Sequence, residues 1–107
     1  MTMEFDTHSL VLLRRGPRAN QYEGAELDRL QQAHLDHLAA MHERGALLVA
    51  GPFDKQEDET FRGICIYGVP LDEARALAES DPSVQAGRMA VQAMEWLTPK
   101  GAISFPS

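Results

Sequence analysis

From Glu26 to Pro52 the chain changes its hydrophobic period once, and that change sets out the architecture. Wound at about 100° per residue, Leu27, Leu30, His34, Leu38 and Met41 fall on one stripe, with His34 at its centre. This predicts an amphipathic helix over roughly 25–44. Gly45 stops it in the position that a left-handed C-terminal cap favours. A continuous apolar run from Ala46 then reads as a strand ending at Gly51-Pro52. A histidine in the middle of a core-facing stripe must find a hydrogen-bond partner or leave a buried polar group unsatisfied.

The rest of the chain supplies three more strands and a second helix. Ser9 to Leu13 is an unbroken apolar run closed by Arg14-Arg15-Gly16-Pro17, which predicts a central strand covered on both faces. Residues 1–7 read as a frayed start. Phe53 to Glu59 is a charged hairpin loop, and Phe61 to Tyr67 alternates as a strand. Pro70 opens a helix with Asp72 and Glu73 in its first turn and Ala74, Leu77 and Ala78 on its packing face. Pro82 ends that helix at Ser80 or Asp81. The last strand runs over 88–97, and a tail of low structure starts at Pro99.

The order strand, helix, strand, strand, helix, strand predicts an α+β domain: a four-stranded antiparallel sheet with both helices on one face. The other face then lacks cover, and Cys65, Met89, Val91, Met94 and Trp96 are expected to line part of it. An apolar patch of that size implies a partner, and a second copy of the chain is the simplest.

Composition narrows the function classes. With 107 residues there is room for one domain, with a core over 8–98 and a tail over 99–107. A net charge of −6 and no basic stripe argue against nucleic acid. Nothing approaches the apolar length of a membrane span. Cys65 is the single cysteine, which excludes an internal disulfide, and the N-terminus begins acidic rather than basic; the expectation is a cytoplasmic protein.

The candidate chemistry centres on His34. A histidine there is either a core residue bonded to backbone or a general base. Asp81 opens Asp-Pro-Ser-Val-Gln-Ala-Gly, which reads as an N-cap, one short helical turn and a glycine cap. Capping alone accounts for Asp81, but a carboxylate can also accept the second ring N–H of a histidine and fix its tautomer; both roles can coexist. His34 and His37 stand at i,i+3, yet no carboxylate or cysteine lies at a recognised ligand spacing, so no metal is expected. His37 and His42 flank the stripe and are read as solvated helix-edge residues. Arg14 and Arg15 at the end of the first strand are candidates for meeting an anionic substrate. Gly51 and Pro52, which turn the chain and leave space, and Ser80, beside Asp81, complete the substrate-binding candidates. Phe53, Tyr67 and Trp96 are read as core before pocket lining.

The runs HLDHLAAMHERGALLVAGPF, FRGICIYGV and LDEARALAESDPSVQAGR resemble the YciI-like (YCII-related) family. The features that carry the resemblance are His34 eleven residues before Gly45, Gly51-Pro52 after the second strand, and Asp81-Pro82 with Gly87. It spans roughly 9–96. The resemblance implies a ferredoxin-like βαββαβ fold, a dimeric α/β barrel and a His-Asp active site, here His34 and Asp81. It also implies a cofactor-free enzyme of the lyase, dehydrochlorinase or isomerase kind, acting on a small anionic or aromatic substrate. The alternative is a non-catalytic dimeric module that binds a small metabolite or assists another enzyme. Cofactor-free oxygenation on the same fold is a third reading that rests on fold analogy alone.

Overall fold

The computed structural model describes residues 3–106. Strand β1 (Phe5–Arg15) leads through a 3₁₀ turn (Ala19–Gln21) to helix α1 (Gly24–Glu43). Strands β2 (Leu47–Pro52) and β3 (Phe61–Tyr67) form a hairpin. Helix α2 (Leu71–Glu79), a one-turn helix α3 (Pro82–Gln85) and strand β4 (Met89–Pro99) complete the chain. The sheet is wholly antiparallel, in the order β2-β3-β1-β4, which is the ferredoxin-like arrangement. As the unbroken apolar run predicted, β1 is internal, paired with β3 on one side and β4 on the other.

Two expectations about the strands are corrected. Phe5 to Thr7 are not frayed: they pair with Pro99, Thr98 and Leu97, so β1 and β4 form an 11-residue ribbon that outruns the other two strands. The polar side chains hid this, because cross-strand backbone bonds need no apolar run. The second correction concerns the faces of the sheet. Val11 pairs with Cys65 and Ala93, and Leu13 with Val91, so Cys65, Val91 and Met89 belong to the helix-covered face. There Cys65 and Met89 join Val11, Tyr67, Met41, Ala74 and Ala78 in the core, with Val91 packed against it. The open face carries Leu10, Leu12, Ile64, Ile66, Met94 and Trp96 instead, as the registers Leu10↔Ile66, Leu10↔Met94 and His8↔Trp96 require. The difference is one of parity: Met89 and Val91 alternate with Met94 and Trp96 along the one strand β4, so the four cannot share a face.

Both helices that position the site end in the same left-handed device. At Gly45 (φ +87°), the Gly45 N–H reaches the His42 carbonyl and the Ala46 N–H the Met41 carbonyl. At Gly87 (φ +77°), the Gly87 N–H reaches Val84 and the Arg88 N–H reaches Ser83. This paired bonding satisfies the last carbonyls of each helix. One further glycine is fixed by proximity: a Cβ on Gly16 would lie 2.2 Å from the Gly87 carbonyl oxygen. That close approach lets the Gly16 N–H bond to the Arg88 carbonyl at 2.8 Å and ties the end of β1 to the start of β4. No helix among the described residues is long and apolar enough to cross a membrane.

Candidate active site

The centre of the α1 stripe is where the sequence placed it, and it is paired. His34 Nδ1 and an Asp81 carboxylate oxygen stand 2.5 Å apart, with side-chain exposures of 8% and 2%. Asp81 occupies the N-cap of α3, and its other carboxylate oxygen accepts the Ser83 N–H at 2.9 Å. One carboxylate therefore caps a helix and receives the histidine. Ser83 is itself tied down, donating its hydroxyl to the Leu30 carbonyl on α1 at 3.1 Å, while Arg88 donates to that hydroxyl at 3.3 Å. Tyr22, just before α1, donates to the Ala86 carbonyl at 2.6 Å. The turn is thus tied to α1 through Ser83 and to the segment before α1 through Ala86, which fixes the carboxylate against the ring.

Because an ionised carboxylate only accepts, the neutral ring carries its proton on Nδ1. Nε2 then presents a lone pair. It has no partner among the described residues and is not one of their sealed polar atoms. His34 lines a cavity of about 420 Å³ between α1 and the β2–β3 hairpin. The volume suits a small organic molecule. Leu35, Leu38, Ile64 and Met89 give apolar wall; Gln31, Gln56, Arg62 and Arg88 give polar groups.

The other candidates separate cleanly. Gly51 and Pro52 line this cavity, and so does Phe53. Arg15 lies beside it, in a smaller depression of about 210 Å³ shared with Arg62 and Arg88. Arg14, one residue earlier and therefore on the opposite sheet face, is outside the lining. It packs 4.5 Å over the Phe61 ring and donates to Gln92 and Thr60. Ser80 is also outside, exposed and bonded through its hydroxyl to the Leu77 carbonyl. His37 and His42 are not merely solvated: their ring N–H groups donate to the Leu77 and Leu47 carbonyls, pinning α1 to α2 and to β2. Among the described residues no group of three or more His, Cys, Asp or Glu side chains gathers as metal ligands would.

The two cationic residues of the cavity, Arg62 and Arg88, escaped the sequence reading. Arg62 stands in a segment whose sequence signals only a strand. Arg88 follows the glycine cap of the turn that opens with Asp81, and that position was the available signal: a residue there must return toward the cap. Burial, together with the like charge of Arg62, lowers the pKa of Arg88 from its ordinary value, while Asp81 opposes the shift. Behind the pair, burial and then Asp81 push the Cys65 thiol up to about 12. The buried Tyr67 phenol is raised in the same way, by burial first and then by Cys65 and Asp81. Neither is a nucleophile in that state.

A solved structure, 5-chloro-2-hydroxyhydroquinone dehydrochlorinase (TftG) from Burkholderia phenoliruptrix AC1100 in complex with 2,5-dihydroxybenzoquinone, is similar to this chain. The TM-score is 0.56 and the identity 22%, over 83% of this chain and 90% of that one. At that identity the likeness is one of fold. No curated protein matches the sequence. The family model of the YCII-related domain matches residues 9–97. That is most of the chain, and the protein therefore belongs to the YCII-related domain family.

Proposed function

We propose that this protein is a cofactor-free enzyme that removes a proton from a small cyclic substrate, with His34 as general base and Asp81 as the residue that orients it. The observation that carries the reading is the direction of the imidazole. Nδ1 is occupied by Asp81, and His34 lines a cavity large enough for a substrate, which supports Nε2 as the nitrogen that meets it. His34 Nε2 accepts the proton, and the electron pair left behind moves into the ring of the substrate. From there it either expels an anion such as chloride, which is lyase chemistry, or takes the proton back from the imidazolium at another carbon, which is isomerase chemistry. Asp81 remains ionised and holds the imidazolium in place. That a protein of this fold dehydrochlorinates a chlorinated hydroxyhydroquinone supports the lyase branch.

The same reading includes a homodimer. Leu10, Leu12, Ile64 and Met94 lie half-buried on the open sheet face, with Trp96 39% exposed and Val49 48% exposed. An apolar surface of that kind supports a second copy as its cover.

The experiment is a turnover screen of chlorinated and unchlorinated hydroxyhydroquinones and cyclic enones, read by chloride release and by solvent-deuterium incorporation. A substrate turned over by the wild type should lose about 10²–10⁴ in rate with His34→Ala, with the circular dichroism spectrum unchanged. Ligand binding without any turnover, equally strong in His34→Gln, would instead mark a binding module.

A further inference from the structure

Arg15, Arg62 and Arg88 line one depression beside the cavity, and none of them forms an ion pair with a carboxylate among the described residues. Arg62 and Arg88 also line the cavity of His34, with Met89 common to both. The two spaces are neighbouring lobes joined at these side chains. Among the described residues the ion pairs within 4.0 Å are His34–Asp81 and Lys100–Glu4, so none of the three arginines meets a carboxylate. The chain carries 16 acidic residues against 10 basic ones, so carboxylates are not scarce. What bonds the arginines do make are to neutral groups: Arg15 to the Asn20 side chain and Arg88 to the Ser83 hydroxyl. The Arg62 side chain makes no hydrogen bond within the described residues.

Like charges lining one space repel, Asp81 offsets this in part for Arg88, and an anion seated between them would relieve the rest. Guanidinium groups present paired N–H donors that match the two oxygens of a carboxylate or phosphate. Arg88 is also held in place. It is the residue after the Gly87 cap and bonds to Ser83, in the same one-turn helix whose N-cap is Asp81. The turn that aims the base therefore also aims a cation, which fixes the spacing between the two.

We infer that the arginine lobe is an anion subsite, and that the substrate is a ring compound carrying a carboxylate or phosphate group, bound by Arg15, Arg62 and Arg88 while the ring lies against His34. The inference rests on the proposed reaction for the identity of the second lobe, but anion binding itself does not require proton transfer. The subsite sets specificity: it selects among cyclic substrates by their charged substituent.

Three probes with the same ring separate the lobes. Hydroquinone carries no anion, whereas 2,5-dihydroxybenzoate adds a carboxylate and 4-hydroxyphenyl phosphate adds a phosphate. Titrations with the full chain, followed by calorimetry or by amide shifts, should show at least one anionic probe binding about tenfold or more tighter than hydroquinone. Which of the two does so identifies the oxyanion. The preference should weaken with added salt and disappear in Arg62→Gln and Arg88→Gln, while Arg75→Gln on exposed α2 leaves it intact. Arg62 is exposed and its side chain bonds to nothing among the described residues, so that variant tests the site without disturbing the fold. His34→Gln should keep the preference while losing turnover, which separates failure of the subsite from failure of the base. Equal affinity for all three probes, or a preference that survives R62Q and R88Q together, would overturn the inference.

Discussion

His34 and Asp81 lie 47 residues apart in the chain and meet at 2.5 Å because a helix cap delivers the carboxylate. The two oxygens of Asp81 are divided between two tasks, one on the Ser83 N–H and one on the imidazole. That division separates stability from activity in a way two substitutions can read.

Asp81→Asn keeps a side-chain oxygen for Ser83, so the cap survives. Its amide N–H₂ then stands where the second oxygen was, and the ring must accept at Nδ1 and carry its proton on Nε2. The base is lost although the geometry is kept. Turnover should fall by about 10²–10⁴ with little change in Tm. Asp81→Ala removes the cap, at about 1 kcal/mol, and leaves the buried ring N–H unpaired, at about 1–3 kcal/mol. It should lose activity and melt at lower temperature. Thermal melts of both variants beside their rates check this; an Asn variant as active as the wild type would leave Asp81 as a cap only.

The pH dependence of stability follows from two buried acids. Cys65 is raised to about 12 by burial and Asp81, and Tyr67 is raised by burial. An unfolded chain begins to lose the thiol proton near its ordinary value of 9.0 while the folded chain keeps it. Above that pH the unfolded state binds fewer protons, so stability falls as pH rises from about 9 toward 12. Below pH 9 the contribution is fully present. Tm measured between pH 8 and 11 should decline, and Cys65→Ala with Tyr67→Phe should flatten the decline. A Tm that holds steady to pH 11 in the wild type would contradict it.

The open sheet face gives an assembly prediction. Sedimentation at micromolar concentration should find a dimer. Leu12→Glu, which places a charge on that face opposite Ile64 and Gln92, should shift it to monomer with the helix content retained. A monomeric wild type would contradict the homodimer.

Much of this was legible in the sequence, for identifiable reasons. Helix α1 and its inward histidine followed from period, and both glycine caps from residue type. The four-stranded antiparallel sheet followed from the alternation of elements. The face taken by Cys65 did not, because it depends on register with partners distant in the chain, whereas the split of Met89 and Val91 from Met94 and Trp96 needed only strand alternation within β4. Arg14 and Arg15 show the same limit. They are adjacent and equally plausible on paper, yet one residue of strand sends Arg14 to the face away from the helices and Arg15 to the depression beside the cavity. Arg62 and Arg88 were invisible as a pair, since only the return of β4 past α3 brings them together.

The central claim is that the ring of His34 keeps its proton on Nδ1, toward Asp81, and offers Nε2 to the cavity. Long-range ¹H–¹⁵N correlation of the histidine rings, with His34 assigned by its absence in His34→Ala, reads this directly and needs no substrate. The neutral ring should show a protonated Nδ1 and a bare Nε2, and Asp81→Asn should reverse the two. A wild-type ring protonated on Nε2 would contradict the account.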